Sequence, residues 1–338
     1  MSVGREPPVV FSYDAYGIGC ISFDNPDARA NVFNPATLSA LATAIDEASQ
    51  ARLKALILIS AKEKIFIAGA DLKWLAALPD AATALELSRT GQRLFQRLTD
   101  FPVPVVCAIH GACAGGGFEL ALACHWRIAS DAPATQIGLP ETGIGTIPGW
   151  GGCVRLPRLI GAKPALDHIL RAQLLPAKEA LAAGLINELV SPSELSARAR
   201  ATALKLAEEG VPAGPSRAAP VPELFAELRR TTLARTRGQQ PALLAAIDAV
   251  EESAPLPIPA ALEVEARHFA GVTTGAVCKN LIHVFFLRDA AKKRTLDGWF
   301  ESRAGQRPGP RTIKRVGVVG AGVMGSGIAQ WLAARGFE

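Results

Sequence analysis

Two glutamates, each set behind its own glycine-rich turn, constrain this chain more than any other feature. Glu119 stands in Gly115-Gly116-Gly117-Phe118-Glu119-Leu120. Glu141 stands in Gly138-Leu139-Pro140-Glu141 and is followed by Gly143, Gly145, Pro148, Gly149, Gly151 and Gly152. A third small-residue turn, Ala68-Gly69-Ala70-Asp71, lies upstream. Glycine reaches backbone dihedrals closed to other residues, so such turns can bring N–H groups close to a ligand. Carboxylates beside exposed N–H groups are the parts needed to move a proton next to a polarised carbonyl.

Each glutamate has a plainer reading. Glu119 sits among Phe118, Leu120, Ala121 and Leu122, a setting that predicts burial. A buried carboxylate is costly unless paired or functional. An acid in a first helical turn also complements the helix dipole. Glu141 lies in a Gly/Pro-rich loop, where a solvated acid would be unremarkable and a functional one is also at home. If both face one site, their proton affinities split and supply an acid and a base. Gly115–Gly117 leads into a helix, whose first N–H groups lack partners and favour an anion. Gly69-Ala70-Asp71, ahead of Leu72–Leu78, follows the same logic.

The rest of the pattern predicts an α/β arrangement. Gly17–Phe23 alternates as a strand, and Pro35–Ala51 has helical spacing with Asn34 as N-cap. Ala55–Ser60 and Val103–Ile109 are continuous apolar runs, as buried parallel strands show. Ala84–Leu98 reads as an amphipathic helix, Glu119–Cys124 as a helix start and Arg127–Ser130 as a strand. From about Lys163 the pattern is mainly helical. It breaks at Pro255–Pro259, resumes as one helix over Leu262–Lys293, and enters a Gly/Pro/Arg linker at Arg303–Arg311.

Bulk properties narrow the function. At 338 residues the chain exceeds one typical core, and 49% hydrophobic with 20% charged residues is a globular composition. Its longest apolar runs are too short to span a bilayer, and Met1–Pro8 lacks an apolar signal core. Six cysteines without a C-x-x-C pair read as reduced core residues. Five histidines without ligand spacing argue against a metal site. These features point to a reducing compartment, the cytoplasm or an organelle matrix. A net charge of +5 favours an anionic partner. Dispersed basic residues and two tyrosines make a phosphorylated small molecule a better candidate than nucleic acid.

The last segment differs in kind. Arg315–Val319 reads as a strand, then Gly320-Ala321-Gly322-Val323-Met324-Gly325, then a helix to about Arg335. That is G-x-G-x-x-G in a strand–turn–helix setting, the opening of a dinucleotide-binding fold. The acidic residue that completes this fingerprint, about 20 residues on, would fall past Glu338.

With these motifs in view, the chain resembles the crotonase (enoyl-CoA hydratase/isomerase) superfamily. The resemblance rests on Ala68-Gly69-Ala70-Asp71-Leu72-Lys73, on His110 to Ala121 with Gly115-Gly116-Gly117-Phe118-Glu119, and on Gly138-Leu139-Pro140-Glu141 with Gly145 to Gly152. Joined to the terminal glycine motif, it is similar to multifunctional fatty-acid β-oxidation enzymes that fuse an enoyl-CoA hydratase to a 3-hydroxyacyl-CoA dehydrogenase. The resemblance implies a ββα superhelical core over 8–195, a helical region and linker helix over 196–310, and the incomplete first βα unit of an NAD-binding domain over 311–338. It implies an oxyanion hole from the N–H groups of Ala70 and Gly116, and catalysis by Glu119 and Glu141. A CoA-thioester groove would be lined by Ala28, Ala30, Ala68, Asp71, Leu72 and Pro140, with Lys73 near the CoA phosphates.

Hydration of a trans-2-enoyl-CoA is the implied activity, since the resemblance includes both acids. A 3-enoyl-CoA to 2-enoyl-CoA isomerase and a non-catalytic acyl-CoA-binding subunit are the alternatives. Hydration calls for no cofactor. NAD, through Gly320, Gly322 and Gly325, enters only if the chain continues into a full dehydrogenase domain, so dehydrogenase activity is not expected of this chain. Homo-oligomerisation or a thiolase partner is implied by the same resemblance.

Overall fold

The computed structural model describes residues 7–26, 28–213, 222–293 and 313–338. The chain divides into two compact units, Met1–Phe285 and Phe286–Glu338. The first unit therefore continues past residue 195 and includes most of the helical region expected to follow the core.

Two sheets organise the first unit. Among the described residues, the larger has the order β1 (Val9–Tyr13), β2 (Ile18–Phe23), β3 (Ala55–Ser60), β5 (Val105–Ile109), β7 (Trp126–Ser130), β10 (Glu188–Val190). β1 and β2 pair antiparallel and the remaining neighbours pair parallel. Every residue of β5 is buried, which is why Val103–Ile109 reads as an unbroken apolar run. The smaller sheet has the order β4 (Ile65–Ile67), β6 (Ala112–Ala114), β8 (Gln136–Gly138), β9 (Leu175–Pro176). β3, β5 and β7 each run into a tight turn, and the chain then adds β4, β6 or β8 to the smaller sheet. β4, β6 and β8 pair in parallel, so their carboxyl ends lie side by side.

Helices cover the sheets. α1 (Pro35–Gln50) starts where Asn34 accepts the Thr37 N–H, as the spacing predicts. α3 (Ala81–Thr99) buries Leu87, Leu94, Phe95 and Leu98. α4 (Gly116–Ala123) begins three residues ahead of the expected Glu119 start, because Gly115 takes a positive φ of 54° and turns the chain directly into the helix. α5 (Gly152–Ile160) and α6 (Ala162–Arg171) follow. α8 (Leu195–Glu209), after the short α7 (Ala177–Ala182), lays Leu195, Ala199, Ala203 and Leu206 onto the large sheet against Ile57, Val106 and Ile128. α9 (Pro222–Thr236) and α10 (Pro241–Ser253) precede two final helices of this region.

The single helix expected over Leu262–Lys293 is instead two: α11 (Ile258–Thr273) and α12 (Ala276–Lys293), bent by 70°. Thr273 and Thr274 turn their hydroxyls back onto Phe269 O and Ala270 O, and Gly275 follows. These are weak helix formers at the point where the helix must end. α11 packs on α3, α5 and α10. No single helix among the described residues is long and apolar enough to cross a membrane.

In the second unit, α13 (Val323–Ala333) forms, but Arg315–Val319 is not a strand. Among the described residues, the backbone pairing next to it is from Val316 N–H to Glu338 O and from Glu338 N–H to Lys314 O. A parallel strand needs a partner along its length, and one residue cannot supply it. Arg303–Arg311 lies outside the described residues.

Candidate active site

The parallel pairing of β4, β6 and β8 decides where the site is. The residues after β4 are held by Phe33, whose N–H donates to Gly69 O and whose carbonyl accepts from Asp71 N–H. Gly69 has φ of 99°, and a Cβ there would lie 3.2 Å from Ala114 O. After β6, Gly115 donates its N–H to Gly138 O at the end of β8. After β8, Leu139 and Pro140 lead into a single 3-10 turn, Glu141–Ile144. Neighbouring strand ends thus deliver Ala70, then Gly116 and Glu119, then Glu141, to one place.

A cavity of about 420 Å³ lies there. Ala70, Gly116, Glu119 and Glu141 all line it, with Ala68, Leu72 and Pro140. Its apolar wall includes Leu75, Leu87, Ile144, Ile147, Trp150 and Phe269. Ala28, Ala30 and Asp71 are outside this lining. Asp71 caps α2 (Leu72–Ala76) by accepting the Lys73 N–H, and Lys73 is exposed. Neither the Ala70 nor the Gly116 N–H donates to another group among the described residues. Ala70 pairs with Phe33 in a parallel bridge whose bonds use residues 69 and 71. Gly116 is the first residue of α4, where the N–H has no helical acceptor.

The two carboxylates differ in surroundings. Glu119 Oε1 accepts from the N–H groups of Trp150 at 2.7 Å and Gly152 at 2.8 Å. Burial pushes its carboxyl up to about 7, while these N–H groups and Arg155 hold it back from rising further. Glu141 has the opposite balance. Its Oε2 is buried with no hydrogen-bond partner. Burial first, then the charge on Glu119, drive it well above the usual carboxylate range, and Glu265 adds to this. Of the pair, Glu119 is therefore the first to ionise and Glu141 the one that keeps its proton longer.

The glycines after Glu141 serve packing as much as the cavity. A Cβ at Gly145 would meet Cys278 Cα of α12 at 2.9 Å, and one at Gly149 the Phe269 ring of α11 at 2.5 Å. Gly151, with φ of 113°, leaves room for the Arg155 guanidinium. Trp150 anchors this segment. Its indole stands edge-on to Phe33 and Phe95, at 5.3 and 5.5 Å between centroids, and donates Nε1–H to Leu87 O.

A third buried carboxylate, Glu265 on α11, is wholly inaccessible. Burial, then the charge on Glu119, push it up to about 8. It had not been singled out in the sequence, although Leu262, Ala266 and Phe269 place it on an apolar helical face, where an acid is out of pattern. Gln92, which donates to Glu265 Oε1 at 3.1 Å, and Arg155, which donates to Trp150 O at 3.0 Å, were missed likewise.

The enoyl-CoA hydratase/isomerase family model matches residues 14–249. The chain is 37% identical over 333 residues to the fatty acid oxidation complex subunit alpha of Shewanella frigidimarina, covering 93% of this chain and 44% of that protein. It is 36% identical to the subunit of the same name from Vibrio vulnificus, covering 94% and 45%. The chain thus spans less than half the length of these curated relatives. Among solved structures, an enoyl-CoA hydratase from Bacillus anthracis is 28% identical, covering 85% of this chain and 97% of that chain, with a TM-score of 0.56. Human mitochondrial delta3-delta2-enoyl-CoA isomerase, at 22% identity, shares the fold with a TM-score of 0.63, covering 85% of this chain and 100% of that chain. With the convergence of its strand ends and these matches together, the chain belongs to the enoyl-CoA hydratase/isomerase family and has the crotonase fold.

Proposed function

We propose that this cavity hydrates trans-2-enoyl-CoA thioesters. The thioester carbonyl oxygen lies between the free N–H groups of Ala70 and Gly116, which stabilise negative charge as it develops. With Oε1 of Glu119 committed to two N–H donors, its other oxygen meets the attacking water and takes its proton. The resulting hydroxide adds to C3. Glu141, the acid of the pair that keeps its proton longer, delivers a proton to C2. The new C3–O and C2–H bonds replace the conjugated double bond, and the two acids return to their starting states once protons re-equilibrate. The observation that carries the reading is the pair of unequal carboxylates on one cavity beside two unpartnered N–H groups.

Loss of the conjugated enoyl-thioester absorbance on adding crotonyl-CoA tests it. Turnover in wild type, with a large drop in Glu119→Gln and Glu141→Gln, is expected. Each variant should lose about 10²-fold or more in kcat, the scale of general acid–base contributions. Wild type that binds the thioester without turnover refutes hydration, and a 3-enoyl-CoA substrate then separates an isomerase from a non-catalytic binding subunit.

The names of the relatives support placement in fatty-acid oxidation. We further propose that residues 313–338 open a dinucleotide-binding domain. The turn fits that role: Gly320 has φ of 102°, and a Cβ on Gly325 would lie 1.8 Å from Gly320 O. Gly320, Gly322 and Gly325 would hold the NAD pyrophosphate against α13, and NAD would supply hydride transfer. Hydration itself needs no cofactor. An association with a thiolase or with further copies of the chain belongs to the same reading.

A further inference from the structure

We propose that Glu265 is a positioning residue for Glu119: the helix α11, outside the strand-ends that build the cavity, sets the geometry of proton transfer through the turn Trp150–Cys153. The inference rests on the hydratase reading above. Its basis is an alternation of hydrogen bonds along four consecutive N–H groups. Trp150 donates to Glu119 Oε1 at 2.7 Å, Gly151 to Glu265 Oε1 at 2.6 Å, Gly152 to Glu119 Oε1 at 2.8 Å, and Cys153 to Glu265 Oε2 at 2.7 Å. The turn is therefore gripped from opposite sides by two carboxylates. It cannot shift toward either without breaking charge-assisted bonds to the other.

Glu265 gives its acceptors to this turn and to Gln92 of α3. Its oxygens accept three donors: Gly151 N–H, Cys153 N–H and Gln92 Nε2–H. The three donors favour the carboxylate and oppose its burial, which still holds the group up at about 8. The charges around it are few. Glu119 comes from α4, Glu141 from the 3-10 turn, and Cys153, Arg155 and Arg158 from α5. α3 presents neutral Gln92, while its Arg89 pairs with Glu263. On α10, Asp248 and Glu251 pair with Arg229, and Glu252 with His268. The buried Arg155 guanidinium lowers the proton affinity of both Glu119 and Glu265, while Glu265 raises that of Glu141.

Glu265→Gln puts a donor where a turn N–H now donates. Misplacement of a reacting group by about 1 Å costs on the order of 10²-fold in rate. The expected result is a kcat at least about tenfold lower, KM unchanged, and an acid limb of the kcat–pH profile shifted up, as the Trp150 and Gly152 N–H groups loosen their hold on the Glu119 carboxylate. Wild-type kinetics in Glu265→Gln overturn the proposal. So does a lowered kcat with an unmoved acid limb, since a purely structural role would act that way. Should Glu265→Gln fail to fold, Glu265→Asp, which keeps both acceptors on a shorter side chain, decides: a lowered kcat with a raised acid limb supports positioning, and unchanged kinetics or an unmoved limb overturn it. Wild type inactive on crotonyl-CoA refutes the hydratase reading instead. In that case an infrared titration of the carboxyl band that Glu119→Gln removes tests Glu265 alone, and an unmoved Glu119 titration in Glu265→Gln or Glu265→Asp overturns the role.

Discussion

Gly91 offers a test in which two physical effects of one methyl group oppose each other. It lies in the middle of α3, where glycine costs about 1 kcal/mol relative to alanine. Propensity alone therefore predicts that Gly91→Ala stabilises the protein. The structure predicts the reverse. A Cβ at residue 91 would stand 2.3 Å from both Cδ1 and Nε1 of Trp150. The indole has nowhere to go: it is held edge-on by Phe33 and Phe95 and hydrogen-bonded to Leu87 O. A clash this short with a pinned ring falls in the upper part of the about 1–3 kcal/mol that overpacking costs, so about 2–3 kcal/mol less the helical gain of about 1 kcal/mol leaves a net loss of about 1–2 kcal/mol. Because the Trp150 N–H holds Glu119 Oε1, the strain also reaches the site, and kcat should fall. Gly271→Ala is the matched control. Gly271 is exposed on α11 with nothing within 4 Å of its Cβ position, so the same substitution should stabilise by about 0.5–1 kcal/mol. Thermal and urea unfolding of both variants beside wild type measure the difference. A Gly91→Ala protein as stable as Gly271→Ala, with unchanged turnover, would refute the packing argument.

Other expectations concern the site itself. The kcat of hydration should rise with pH through about 7, where Glu119 loses its proton, and fall again at higher pH as Glu141 loses its own; a profile flat from pH 5 to 9 would contradict this assignment. Glu141 has a folded-state proton affinity above its unfolded one, so wild type loses stability as pH rises from the unfolded carboxylate value of about 4.3 through the folded value. Glu141→Gln should therefore gain stability relative to wild type on going from pH 5 to pH 9, as read by thermal melts; a constant difference would sink the idea. Gly115→Ala should cost both stability and activity, since φ is 54° and the added Cβ would meet Glu141 Oε1 at 2.9 Å; a wild-type kcat in that variant would show that the turn tolerates a side chain.

The elements that place the site were legible in part. Ala55–Ser60 and the run ending at Ile109 declared buried strands because both faces are covered, which leaves a continuous apolar signature. Asn34 declared the start of α1, since an N-cap acts on N–H groups within three residues of it. The short strands β4, β6 and β8 gave no such signal. At three residues each, they exist because neighbours in the small sheet pair with them. Arg315–Val319 failed for the complementary reason: its apolar run is strand-like, but pairing is not a local property.

The residues themselves determined the chemistry on offer: two acids, three glycine-rich turns and a composition suited to a buried α/β core. Their order along the chain also determined that each acid follows a glycine-rich turn. Only the tertiary structure decided that Ala70, Gly116, Glu119 and Glu141 share one cavity, because parallel pairing of β4, β6 and β8 is what aligns their ends. It alone decided that Glu119 and Glu141 differ, since burial and hydrogen-bond donors, not residue type, set a carboxylate's proton affinity. And it brought Glu265 from 114 residues away to Gly151, a contact made by the packing of α11 on α3 and α5, which no local pattern encodes.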